Sequence, residues 1–294
     1  MKKLFFYITT ILTTLLQTAF GQVNTEIPFL FERNQIIVQI KINGEGPYNF
    51  LFDTGTNPSA INKQTAEKIG LQLDTIKREG IGYGENPIIA YLCYFPKMAL
   101  GNIVKDSLIS VALNLSVFDS KFSVPVAGVL GYSLLYNRRF TIDYPKRKII
   151  FYESELPKPG NILVKQQLLV SDTESAPAVD SVSVGGHYLK LIFDTGSSLS
   201  LKLSQSADSL YNFSKSMTQI KADTLEGYGG KAVSYSGKLK NFKWGKIKLK
   251  EVKISIDPNE RSDLFSPAGS IGNELLQNYR VTFDYIDKVV IIEK

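Results

Sequence analysis

Two stretches decide the reading of this chain: Asn49-Phe50-Leu51-Phe52-Asp53-Thr54-Gly55-Thr56 and Lys190-Leu191-Ile192-Phe193-Asp194-Thr195-Gly196-Ser197. They align at one constant offset, Asp53 on Asp194, and the same offset carries Ala127-Gly128-Val129-Leu130-Gly131 onto Ala268-Gly269-Ser270-Ile271-Gly272. It then carries Thr141-Ile142-Asp143-Tyr144 onto Thr282-Phe283-Asp284-Tyr285. Between these anchors the register slips by a few residues and returns, as loop insertions require. The chain is therefore a duplicated unit. Each copy has one Asp-Thr-Gly loop after an apolar strand, and a second glycine, Gly131 or Gly272, at the same distance beyond the loop glycine.

Apolar residues alternate at period two through Ile36 to Ile42, Val179 to Val184 and Val252 to Ile256, which predicts half-buried strands. Asn43-Gly44, Gly101-Asn102, Gly185-Gly186 and Gly245-Lys246 punctuate them as turns. Short helices are expected only at Lys63 to Ile69, Tyr132 to Tyr136 and Asn273 to Tyr279. The result is an all-β, two-lobed fold. Its expected divisions are a leader over 1–21, one lobe over 22–156, a rigid Pro157-Lys158-Pro159-Gly160 linker over 157–160, and a second lobe over 161–294.

The leader combines Lys2-Lys3, an apolar run from Leu4 to Leu16 and Ala19-Phe20-Gly21, the pattern of an export signal cleaved before Gln22. That run is short and threonine-rich, so no stable membrane insertion is expected afterwards. Cys93 is the sole cysteine, which excludes an internal disulfide and lipidation next to the cleavage site, and points to an exported periplasmic or secreted bacterial protein. Cys93 sits in a strand-like run and reads as core. The 294 residues are 44% hydrophobic and carry a net charge of +6, which falls to +4 without Lys2 and Lys3. The lysines between Lys238 and Lys250 alternate as on a solvated strand face, so no nucleic-acid partner is expected.

The two loops with their matched glycines resemble the pepsin and retropepsin clan of aspartic proteases, over nearly the whole chain after the leader. Gly272-Asn273-Glu274-Leu275-Leu276 is similar to the glycine and C-terminal helix of retroviral proteases, while two lobes in one chain resemble pepsin. The resemblance implies an aspartic endopeptidase, active as a monomer on peptide or protein substrates without a cofactor, with Asp53 and Asp194 catalytic. Chemistry explains the need for two: one group must deprotonate a water while another protonates the carbonyl oxygen. Two carboxyls a hydrogen bond apart share one proton and do both, the arrangement general to aspartic proteases.

By the same resemblance Thr54 and Thr195 hydrogen-bond across the lobes, Gly55 and Gly196 let the loops approach, and Thr56 and Ser197 donate hydroxyls to the adjacent aspartates. Two such hydroxyls are expected to move the pH optimum downward. The hydrophobic-hydrophobic-glycine segments Val129-Leu130-Gly131 and Ser270-Ile271-Gly272 pack behind the loops, with Ser270 a departure. Gly80-Ile81-Gly82-Tyr83-Gly84 and Gly227-Tyr228-Gly229-Gly230 read as tips of two flap hairpins, with Tyr83 and Tyr228 as substrate contacts. Residues 22–52 leave no room for an inhibitory prosegment before Asp53. Asp143 and Asp284 read as turn residues and His187 as a surface residue, which leaves no histidine-based triad or zinc site. The competing reading is a peptide-binding protein of the same fold that does not cleave.

Overall fold

The computed structural model describes residues 24–80, 86–170, 176–257 and 267–294. The leader segment 1–21 and Tyr83 lie outside the described residues. The structure is all-β and two-lobed. In the first lobe Gln35–Ile42, Glu45–Phe52, Val126–Leu130, Ser59–Asn62, Ile103–Leu113 and Ile88–Leu100 follow one another by pairing. Ile88–Leu100 then returns to Gln35–Ile42 through Lys41 opposite Ala99 and Ile42 opposite Met98, which closes a six-stranded barrel.

The second lobe repeats the circuit with Ala178–Val184, His187–Phe193, Gly269–Ile271, Leu201–Ser204, Ile247–Asp257 and Gly230–Trp244. Here Ser183 opposite Lys243 closes the ring. Alternation decides which residues fill each barrel: Ile36, Val38, Ile40 and Ile42 point inward in one, and Leu201, Leu203, Ile254 and Ile256 in the other. The first hairpin turns at Asn43-Gly44 with φ of 54° and 84°, and its counterpart turns at Gly185-Gly186 with φ of 60° and 91°. Left-handed residues at both central positions are what a two-residue hairpin turn demands, and these residue types supply them at little cost.

A third sheet joins the lobes. Its six strands run in the order Thr25–Pro28, Lys148–Tyr152, Arg139–Asp143, Arg280–Asp284, Val289–Glu293 and Ile162–Gln167. At its centre Thr141 faces Thr282 across the antiparallel pair, with 2.7 Å between their hydroxyl oxygens. Asp143 and Asp284 do cap turns, accepting from the backbone of Lys146 and of Ile286 and Asp287. They also form cross-lobe ion pairs that the sequence did not suggest. Arg139 Nε donates to Asp284 at 2.8 Å, and Arg280 Nε lies 3.2 Å from Asp143, close enough to attract although not aligned as a donor.

Above this sheet Phe140 and Phe283 stack at 5.1 Å, and the residues preceding the two Asp-Thr-Gly loops dock on them edge-on: Phe52 on Phe140 at 5.8 Å and Phe193 on Phe283 at 5.0 Å. All four rings are fully buried, and truncating one such ring costs about 3–5 kcal/mol, so both loops stand on a shared rigid floor.

The expected helices form, over Lys63–Lys68, Tyr132–Leu135 and Asn273–Leu276. Two more were not expected, Gln205–Tyr211 and Phe213–Ser216. The first is announced by Ser204, whose side chain caps the Ala207 N–H, a signal hidden by the low helix propensity of the surrounding serines. Cys93 is buried, and burial pushes its thiol up to about 11, so it is packing and not a nucleophile. His187 is exposed and lies 4.4 Å from the Tyr211 ring. Among the described residues no helix is long and apolar enough to cross a membrane.

Candidate active site

Each Asp-Thr-Gly loop leaves a strand that runs parallel to the segment ending in its matched glycine. Asp53 N–H donates to Leu130 O at 2.9 Å, and Asp194 N–H donates to Ile271 O at 3.0 Å. Beyond the glycines the chain bonds back to the loops, Tyr132 N–H to Thr56 O at 2.8 Å and Asn273 N–H to Ser197 O at 3.0 Å. A Cβ at Gly131 would strike Thr56 O, and one at Gly272 would strike Leu199 O and sit 2.9 Å from Ser197 O. These contacts fix each loop from behind.

The loops meet through their threonines. Thr54 N–H donates to Thr195 Oγ1 at 2.9 Å and Thr195 N–H to Thr54 Oγ1 at 3.2 Å. The hydroxyls pass the interaction on, Thr54 to Phe193 O at 2.9 Å and Thr195 to Phe52 O at 2.8 Å. Both threonines are wholly buried, so all four bonds are sheltered from water and hold the loops in register.

The grip brings the two carboxyl groups together. Gly55 and Gly196 make the approach possible: a Cβ at Gly55 would sit 3.1 Å from Asp194 Oδ1, and one at Gly196 would overlap the Asp53 carboxyl. The surroundings of the two acids are unequal. Asp53 Oδ1 accepts from Gly55 N–H at 2.7 Å and Gly196 N–H at 3.1 Å, and its Oδ2 accepts from the Thr56 hydroxyl at 2.5 Å. The Ser197 hydroxyl instead accepts from Leu199 N–H at 3.4 Å and makes no bond to Asp194, a departure from the expected symmetry.

Burial is the largest influence on both carboxyls and raises both. Asp53 rises despite the donors from Thr56, Gly55 and Gly196, whereas Asp194 is pushed up to about 7 by burial and by the charge of Asp53, partly offset by Lys202. The expected downward push from two hydroxyls therefore operates at Asp53 alone and is outweighed. The pair titrates as a unit.

Tyr228, at the tip joining Thr218–Gly227 to Gly230–Trp244, crosses from the second lobe to the first. Its ring meets Phe118 edge-on at 5.9 Å. Its hydroxyl lies beside Thr56, and enclosure together with the charges of Asp53 and Asp194 raises its pKa far above the usual tyrosine range. Asn86 N–H donates to Gly229 O at 2.8 Å, so the first lobe bonds the tip of the second lobe's hairpin beside Tyr228.

Three residues escaped the sequence reading. Gln35 Nε2 donates to Gly196 O, and Asn34 Nδ2 donates to Ser198 O at 3.1 Å, so the first lobe holds the second lobe's loop. Asn273, fully buried, donates to Asn34 O at 2.8 Å and Thr195 O at 2.6 Å while accepting from the Tyr144 hydroxyl at 2.6 Å. Only a polar residue at a position occupied by Tyr132 in the other half hinted at this.

Residues 38–134, the body of the first lobe, match a family model described as aspartyl protease, and no curated protein matches the chain. The matched segment carries Asp53-Thr54-Gly55 and Gly131, and the second lobe repeats the same loop, strand order and supporting glycine. The match to the first lobe, with its barrel repeated in the second, supports an aspartic protease family for this chain.

Proposed function

We propose that the protein is an aspartic endopeptidase in which Asp53 and Asp194 activate one water for attack on a peptide carbonyl. The reciprocal Thr54–Thr195 grip, which sets two buried carboxyls against one another, carries this reading. Below about pH 7 the pair retains a proton, and the unequal surroundings favour placing it on Asp194, since Asp53 is met by three donors and Asp194 faces the charge of Asp53. Asp53 then takes a proton from the water as Asp194 protonates the carbonyl oxygen, and the tetrahedral intermediate collapses with proton transfer to the leaving amine. Tyr228 covers the carboxyls and excludes bulk water, which strengthens each of these interactions. No cofactor enters the scheme, and one chain supplies both aspartates, consistent with a monomer.

The leader pattern of residues 1–21 supports action outside the cytoplasm; sequencing the N-terminus of the protein from its host, with Gln22 expected first, tests this. The activity is tested by digesting an unstructured protein across about pH 3 to 8, with and without pepstatin, using wild type, Asp53→Asn and Asp194→Asn. Cleavage by wild type that disappears in both variants is expected. Persistence in either variant refutes the paired roles.

A further inference from the structure

The two barrels present different chemistry at equivalent places. In the first lobe Ala60 pairs with Val129 on one side and Val111 on the other, and all three join an apolar cluster with Ile37, Leu51 and Phe118. In the second lobe the residue in the same pairing position is Lys202, flanked by Ser270 and Ser255. The neighbours Leu201, Leu203, Ile254, Ile256 and Ile271 fill the barrel interior, so by strand alternation these three face the opposite way. Lys202 is near enough for its charge to act on Asp194.

Ser255 and Ser270 are 1% exposed, and neither hydroxyl has a hydrogen-bond partner among the described residues. A buried orphan hydroxyl costs free energy that an apolar residue, such as the valines of the other lobe, would avoid. Two of them flanking one lysine are accounted for by a ligand that satisfies them. A cavity of about 250 Å³ opens alongside, with Ser255, Ser200 and Ser236 in its wall. The charged groups and the other hydroxyls of that wall are already matched: Lys221 pairs with Asp223, Lys238 with Glu251 and Lys253 with Glu274, while the Ser200 and Ser236 hydroxyls donate to Glu274 and Asp223, which leaves Ser255 as its orphan. Two orphan hydroxyl donors flanking the cation Lys202 suit a carboxylate.

We propose that Lys202, Ser255 and Ser270 form a subsite on the Asp194 side of the cleft that selects a Glu or Asp side chain of the substrate, opposite an apolar subsite in the first lobe. This rests on the peptidase reading for its setting, though the recognition itself does not need cleavage.

The test uses peptide pairs differing only by Glu against Gln at successive positions, at about pH 6, where Glu is ionised. Wild type should show a roughly tenfold higher kcat/KM for the Glu member at one position, the gain expected of a partly desolvated charged hydrogen bond. The ratio should fall to near one in Lys202→Met and in Lys202→Ala/Ser255→Val/Ser270→Val, which copies the first lobe, and Lys202→Glu should favour Lys there. A wild type indifferent to Glu and Gln at every position, or a preference surviving in Lys202→Met, overturns the subsite. Should wild type cleave no peptide, the peptidase reading fails by itself, and fluorescence anisotropy with the same pairs decides the subsite. Tighter binding of the Glu member that is lost in Lys202→Met supports it, and equal binding overturns it.

Discussion

Replacing Asp194 by Asn removes the most strongly displaced carboxyl of the site, and the consequence for stability has a definite sign. A carboxyl that titrates at about 7 in the folded chain, against an ordinary 3.8, favours folding while it can stay protonated. That contribution is complete below the unfolded value and is lost as pH rises through the folded one. The interval is about three pH units at about 1.4 kcal/mol each, roughly 4 kcal/mol. Against a typical total of about 5–15 kcal/mol, ionising the pair is a heavy burden. Urea unfolding followed by the fluorescence of Trp244, the single tryptophan and 2% exposed, measures it. Asp194→Asn and wild type should differ little at about pH 4, and by about pH 8 the variant should be the more stable by about 4 kcal/mol while inactive. Asp53→Asn should gain less, because Asp53 is already met by donors from Gly55, Gly196 and Thr56. A stability difference that stays constant from acid to alkaline pH would refute the argument that burial of charge dominates this site.

Thr54→Val keeps the side-chain shape but strands the Thr195 N–H and the Phe193 carbonyl in a dry interface, so urea unfolding should register a loss of about 2–5 kcal/mol, largely restored in Thr54→Ser. Gly196→Ala should abolish activity, because its methyl would overlap the Asp53 carboxyl, while Gly55→Ala, with its nearest contact at 3.1 Å, should keep a measurable fraction; equal losses in a peptide-cleavage assay would count against this geometry.

The duplication was readable because the parts that repeat at a fixed spacing are those under backbone constraint. Strand, loop, supporting glycine and the strand that enters the shared sheet all recur at the offset that sets Asp53 on Asp194, since each barrel imposes the same path. The chemical difference between the lobes was not readable at that spacing. Pairing equates Ala60 with Lys202, one position out of step with the offset, because the second loop is longer by that much before its strand. An alignment at constant offset sets Lys202 against Ile61 instead. Ser270 was visible as a departure from Val129, but only register placed Lys202 and Ser255 beside it. Gln35 and Asn273 were invisible for another reason: their partners lie 161 and up to 239 residues away, and no local pattern in either segment encodes such contacts.

Those same distant contacts account for the inequality of the two acids. Gln35 and Asn34 take hold of the carbonyls of Gly196 and Ser198, so the second loop is drawn toward the first lobe and the Gly196 N–H is delivered to Asp53 instead of to its own aspartate. Asp53 thereby collects backbone donors from both loops, whereas at Asp194 burial and the charge of its partner outweigh the moderating charge of Lys202 and the backbone N–H of Ser197. Tyr228 makes the opposite crossing, from second lobe to first, and sets its hydroxyl beside Thr56 on the Asp53 side. An exact two-fold pair would leave the proton no preferred site. Crossings of different chemistry give it one, and the fold supplies them through short segments outside the duplicated motifs, where each lobe can change without disturbing the barrel that carries its aspartate.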